Sequence, residues 1–203
     1  MGSLQLVQTG RGLLRVATVL LVAAGICLLA AGCGRTPEAS TLGALTPGVG
    51  VTSYAIGERP SMPLITGETL SGAQLELATL AGSVVVLNSW ASWCAPCIEE
   101  TPELLAASSS TASSDVVFVG LNVNDDPTKA RKFVEQLQIP YDSIMDPDGV
   151  LLATLPEVPP GALPSTLVID RTGLVAARII GPIPPGVLAG IVEAVSVEST
   201  VVE

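Results

Sequence analysis

The feature that most restricts this chain is a strand-to-helix junction carrying two thiols. Val84–Leu87 is apolar and largely β-branched, the pattern of a strand buried on both faces. It leads through Asn88 to Trp93-Cys94-Ala95-Pro96-Cys97, and then to Ile98, Glu99, Glu100, Glu103, Leu104 and Leu105, which read as a helix. At such a junction the first thiol sits at the helix N-terminus, where unpaired N–H groups and the macrodipole favour an anion. Its pKa falls from about 8.5 toward neutrality or below, so a thiolate is available at working pH. The second thiol, one turn on, is close enough to form a disulfide with the first. The pair therefore reads as a redox switch able to exchange electrons with another protein's disulfide.

Two other uses of C-x-x-C stay open as minor alternatives. Zinc wants about four N or S ligands, yet the chain has no histidine, and Cys27 and Cys33 lie in an N-terminal apolar segment. An inert structural disulfide would close too small a loop to remove much chain entropy. The lack of histidine also excludes Ser-His-Asp and Cys-His catalysis and any imidazole shuttle. Proton transfer must use carboxylates, thiols or water.

Met1–Arg15 holds two arginines and no acid, and Val16–Ala31 is almost wholly apolar with small residues at its end. This is the layout of a secretory signal, expected over residues 1–32. Its end, Leu28-Leu29-Ala30-Ala31-Gly32-Cys33, resembles a bacterial lipobox, although Ala30 stands where leucine is commoner. That resemblance implies cleavage before Cys33 and lipidation of its thiol. An uncleaved transmembrane anchor is the alternative, because the uncharged run approaches the ~20 residues a span requires. In both readings the folded part lies outside the cytoplasm, at the extracytoplasmic face of the cell membrane.

Residues 33–53, rich in Thr, Gly, Pro and Ala, read as a flexible tether. The domain is expected over 54–203. Roughly 170 residues remain after the signal, enough for one domain with its own core. The net charge of −10 and the nine Lys and Arg, which form no basic patch, argue against nucleic acid as a partner.

Met62–Ile65 and Gln74–Leu77 are predicted as short strands around turns at Thr66-Gly67-Glu68 and Ser71-Gly72. Ser108–Ser114 is predicted as a surface loop, and Val116–Val123 as a second buried strand. Asp126 and Pro127 read as the N-cap and first residue of a helix whose stripe Ala130, Phe133, Val134 and Leu137 faces the core. A short strand at Tyr141–Ile144, a turn, and a helix ending near Leu155 follow. Then come a proline-rich loop, strands Ser165–Ile169 and Leu174–Ile180 around a tight turn, and a helix over about Pro185–Val195. The order implies an α/β domain, a mixed sheet covered by helices on both faces.

N-S-W-A-S-W-C-A-P-C, Glu100 with Pro102, the inserted strand–helix at about 139–155 and L-P-S-T-L-V-I-D-R-T-G-L together resemble the thioredoxin fold. More narrowly, the chain is similar to the membrane-tethered TlpA/ResA-like branch, from about Tyr54 to Val195, with N-terminal extra strands. The resemblance implies that Cys94 is the exposed attacking thiol and Cys97 the buried resolving one. It implies that Pro164 is a cis-proline facing the disulfide, with Leu163, Trp93 and Pro96 contributing to substrate binding. Asn88 replaces the buried aspartate of ordinary thioredoxins, and Glu100 matches the glutamate that takes its part in this branch. A carboxylate three residues beyond Cys97 can share its helix face, and desolvation would raise its pKa. Glu99 and Glu103 are expected on the solvated face.

The implied activity is protein thiol–disulfide exchange, as a reductase fed by a membrane thiol-electron donor. It needs no cofactor beyond the Cys94–Cys97 couple and no metal. Its substrates would be disulfides of secreted proteins, apocytochrome c among the candidates, and the chain is expected to be monomeric. The rivals are a disulfide-introducing oxidant and a redox-idle binding module. A peroxiredoxin-type peroxidase would want Thr-x-x-Cys, and a copper-delivery protein a distant histidine. Neither is present.

Overall fold

The computed structural model describes residues 50–112 and 115–198. The expected signal peptide, Cys33 and most of the expected tether lie outside the described residues. The strands are β1 (Gly50–Ser53), β2 (Thr66–Glu68), β3 (Gln74–Glu76), β4 (Val84–Trp90), β5 (Val116–Val123), β6 (Ser143–Asp146), β7 (Ser165–Ile169) and β8 (Val175–Ile180). Among the described residues the α-helices are α1 (Ala95–Ser110), α2 (Pro127–Leu137), α3 (Val150–Thr154) and α4 (Val187–Ser196), with a 3-10 turn at Leu77–Leu80.

Six strands form one sheet in the order β1-β8-β7-β4-β5-β6, and β2 and β3 form a separate hairpin. β4, β5 and β6 run parallel, whereas β7, β8 and β1 are added antiparallel. β4 lies in the middle and is buried along its whole length, as its apolar run demands. Successive side chains of a strand point to opposite faces. Val85 and Leu87 accordingly join a core with Leu121, Ile144, Leu152 and Leu167. Val84 and Val86 join a second core with Leu104 of α1 and Leu188, Ile191 and Val192 of α4. Each fully buried Leu or Ile here contributes about 1.5–3 kcal/mol.

The expected mixed sheet with helices on both faces is what the chain forms. β5, β7 and the Asp126-capped start of α2 fall where the sequence puts them, with Asp126 accepting from Thr128 N and Lys129 N.

Five expectations need correction. Gly50–Ser53 pairs residue by residue with Ala177–Ile180, so the folded unit takes in residues assigned to the tether and does not start at Tyr54. Met62–Ile65 is not a strand. Thr66-Gly67-Glu68, read as a turn, is β2, held by β3 and by a bridge from Thr69 to Ile144. α1 continues through Ser110, because the Ser110 and Thr111 hydroxyls donate to Ala107 O and satisfy the helix end. The strand expected at Tyr141–Ile144 is displaced to Ser143–Asp146, where it pairs with β5.

Candidate active site

The central strand ends at Trp90, and the chain turns through Ala91, Ser92 and Trp93 into α1. Cys94 is the N-cap of that helix, and Pro96 occupies one of its first two positions, where a missing N–H costs nothing. Cys94 and Cys97 are joined in a disulfide with their Cα atoms 5.3 Å apart. Cys94 Sγ also accepts a hydrogen bond from Cys97 N at 3.3 Å. The sulfur thus stands where the first-turn N–H groups converge, the position in which a helix favours a thiolate. The two thiols differ little in burial: Cys94 is 5% exposed and Cys97 2%. The expected contrast between an exposed and a buried sulfur is therefore small in the oxidised pair.

Around the disulfide the chain sets Leu70, Trp90, Ala91 and Ala130, with Phe133, Met145 and Leu163 packed against them. The Leu163–Pro164 peptide is cis, and Pro164 is buried while Leu163 is half-buried. Leu163 and Pro164 therefore lie at the cysteine end of the molecule, next to the start of β7. Trp93 is 61% exposed, yet its Nε1 donates to Asn124 O at 2.9 Å. Ile98 is a further exposed apolar residue in the first turn of α1, one the sequence reading did not single out.

Glu100 is where its spacing from Cys97 places it, on the buried face of α1 and only 2% exposed. Its Oε1 accepts from Asn88 Nδ2 at 2.8 Å, and its Oε2 from Ile183 N at 3.1 Å. Burial pushes its carboxyl up to about 7, although both hydrogen bonds act against the rise. Asn88 Nδ2 also donates to Thr166 Oγ1 at 3.0 Å. Tyr141 faces the same carboxylate, and burial, then the Glu100 charge, raises its hydroxyl well above the usual tyrosine range. Glu99 is exposed as expected. Glu103 is half-buried and accepts from Gly186 N at the start of α4, so it is not simply solvated.

One site residue escaped the sequence reading. Asp125 accepts from Ser92 N at 2.6 Å, Ser92 Oγ at 2.8 Å, Asn122 Nδ2 at 3.0 Å and Asp126 N at 2.8 Å. Burial alone would raise this carboxyl, but these hydrogen bonds outweigh it and hold it below the usual range. The segment just before Cys94 is therefore stapled at two consecutive residues, Ser92 and Trp93, to the loop between β5 and α2. The only signal for this was the doubled aspartate before Pro127, and Asp126 alone had a role there. A cleft of about 300 Å³, lined in part by Glu68, Asn122, Asp125 and Met145, adjoins this staple. Another cleft, about 260 Å³ against Leu77, Leu80, Val85 and Ile169, opens at the opposite end of β4 from the disulfide.

Comparison with known proteins places this geometry. A ResA thiol-disulfide oxidoreductase of Bacillus cereus is 30% identical over 112 residues, 55% of this chain and 63% of that protein. The DsbE thiol:disulfide interchange protein of Pseudomonas aeruginosa is 38% identical over 109 residues, 53% of this chain and 57% of that protein. The chain thus spans about three-fifths of the length of these curated relatives. A crystal structure of a DsbF homologue from Corynebacterium diphtheriae superimposes with a TM-score of 0.68 at 32% identity, covering 73% of this chain and 96% of that one. A secreted thiol-disulfide isomerase from Corynebacterium glutamicum gives 0.66 at 30% identity, over 74% and 92% of the two chains. The AhpC/TSA family model matches residues 59–178, a span that begins at Arg59, takes in both cysteines and Glu100, and ends in β8. The chain has the thioredoxin fold and belongs to the AhpC/TSA family.

Proposed function

We propose that the protein is a thiol–disulfide oxidoreductase that reduces disulfides of extracytoplasmic proteins. The observation that carries this is the buried Glu100 carboxyl, one helical turn beyond a Cys94–Cys97 pair set at the start of α1. The names of the relatives support it: ResA is a thiol-disulfide oxidoreductase and DsbE a thiol:disulfide interchange protein.

In the reduced protein the Cys94 thiolate attacks one sulfur of a target disulfide. The Cys94–target bond forms, the target's S–S bond breaks, and the other target sulfur leaves as a thiolate. Cys97 then loses its proton to ionised Glu100 and attacks Cys94 Sγ. The Cys94–Cys97 bond forms, the second target sulfur leaves, and two electrons have passed to the target. A base with its pKa raised to about 7 is matched to this step, because it exists in both forms at working pH. Trp93, Pro96, Ile98 and Leu163 provide an apolar collar for the target's chain, with Pro164 beside Leu163. A membrane thiol-electron donor restores the dithiol. The lipidated Cys33 holds the domain at the outer face of the cell membrane, and apocytochrome c is the substrate class we favour.

The expected outcome is turnover of insulin disulfides with dithiothreitol, and a couple near the thioredoxin value of about −270 mV. A value near −120 mV would reverse the direction and mark an oxidant of secreted proteins. Glu100→Gln should fold and form the mixed disulfide but release the target several-fold more slowly. Resolution at the wild-type rate removes Glu100 from the mechanism. Cys33→Ser should abolish fatty-acid labelling and release the protein from membranes.

A further inference from the structure

Glu100 is held by an amide, and that amide is held by a hydroxyl. Asn88 and Thr166 are directly opposed on β4 and β7, so the ladder itself places their side chains on one face. Asn88 Nδ2 carries two hydrogens. One is directed to Glu100 Oε1 at 2.8 Å and the other to Thr166 Oγ1 at 3.0 Å. All three side chains are buried, so no water can stand in for a lost partner without entering the core.

That arrangement suits ionised Glu100. Once Glu100 accepts a proton, its new O–H must donate, and the amide must turn over to offer Oδ1 in place of Nδ2. A threonine hydroxyl can follow, because it donates as readily as it accepts. It takes the N–H when Glu100 is ionised and gives its own O–H to Oδ1 when Glu100 is protonated. We propose that Thr166 is a positioning residue for the proton acceptor, acting through Asn88, whose amide it keeps hydrogen-bonded in both protonation states of Glu100. This rests on the role given to Glu100 above.

The other groups facing Glu100 do not serve that purpose. Ile183 N, from the loop after β8, can only donate. Tyr141, ahead of β6, is the titratable neighbour across the core, and Cys97 lies one turn back on α1. Glu103, one turn on, bonds Gly186 N instead. Thr166 also lies two residues beyond Pro164, so the relay begins beside the loop expected to meet the substrate.

The test is the titration of Glu100 in the full-length chain, followed by carbon-13 NMR of labelled glutamate carboxyls with Glu100→Gln for assignment. Thr166→Val keeps the branched shape that a central strand favours but removes the hydroxyl. Valine then leaves one amide N–H with no acceptor when Glu100 is ionised, whereas in the protonated state Oδ1 still accepts from the Glu100 O–H. The ionised form loses more, and the midpoint should rise, by up to about one pH unit. The pH profile of mixed-disulfide resolution should move up with it, and Thr166→Ser should restore both. Wild-type titration in Thr166→Val overturns the proposal, as does a Thr166→Ser variant shifted like valine, since packing would then be the cause. If valine does not fold, Thr166→Ala provides the same readout with less bulk. A shifted titration with an unaltered resolution rate upholds the Thr166–Asn88 coupling and overturns instead the role of Glu100 in turnover.

Discussion

A buried carboxyl with a raised pKa has a consequence for stability as well as chemistry. Glu100 releases its proton near 4.5 when unfolded and near 7 when folded. Between those values the folded chain holds more protons than the unfolded one, so this group makes stability fall as pH rises from about 4.5 to about 7. The shift corresponds to about 3 kcal/mol at most. Glu100→Gln removes the titration. The difference in melting temperature between oxidised wild type and variant should therefore change across this interval and be constant outside it. A difference that is flat throughout would show that Glu100 titrates normally. Gly120 illustrates a second residue-scale constraint. A Cβ there would lie 2.0 Å from Ser143 Oγ and 2.8 Å from Trp90 Nε1, and that serine is the partner of the Trp90 indole at 3.1 Å. Gly120→Ala should cost at least the 1–3 kcal/mol typical of overpacking, measured by urea unfolding.

At the scale of elements, the molecule positions α1 by stapling the segment before it. Asp125→Ala should leave the Ser92 and Asn122 donors without their acceptor, and lower stability by about 1–3 kcal/mol in urea titrations. An unaltered midpoint would mean that solvent replaces the staple freely. This element also marks where sequence reading stops. The cysteines, Glu100, Pro164 and the capped start of α2 were legible because each follows a local rule: a spacing, a cap or a motif. Asp125 was not, because its donors come from residues more than thirty positions earlier as well as from its neighbours. β1 was missed for a similar reason. Gly-Val-Thr-Ser has no alternation strong enough to announce a strand, and what orders it is the exposed edge of β8. β2 reads as a turn by composition and becomes a strand only when Gln74–Glu76 folds back on it.

For the molecule as a whole, a partly buried clasp ties together distant parts of the chain. Arg59, with a side chain 6% exposed, donates to Asp170 at 2.7 Å and to Glu198 at 2.6 and 2.8 Å. It joins the segment after β1, the β7–β8 turn and the residues following α4. Removing the cation takes a partner from two carboxylates, although Asp170 keeps its bonds from Thr172 and Leu174 and Glu198 meets water. Arg59→Met should therefore cost about 1–3 kcal/mol in denaturant unfolding, and Glu198→Gln distinctly less, because Asp170 keeps its ion pair. Equal losses would mean that the clasp acts only through Glu198. The same global arrangement has an optical side. Both tryptophans of the chain, at 90 and 93, lie at the cysteine end of the sheet. One is stacked on Phe133 in the cluster that holds the disulfide, and the other stands in solvent. A sulfur–sulfur bond quenches excited indoles nearby. The protein's entire tryptophan emission should thus serve as a built-in gauge of its own oxidation state: the buried ring should brighten on reduction, and the outer one should respond where a target covers it as proposed.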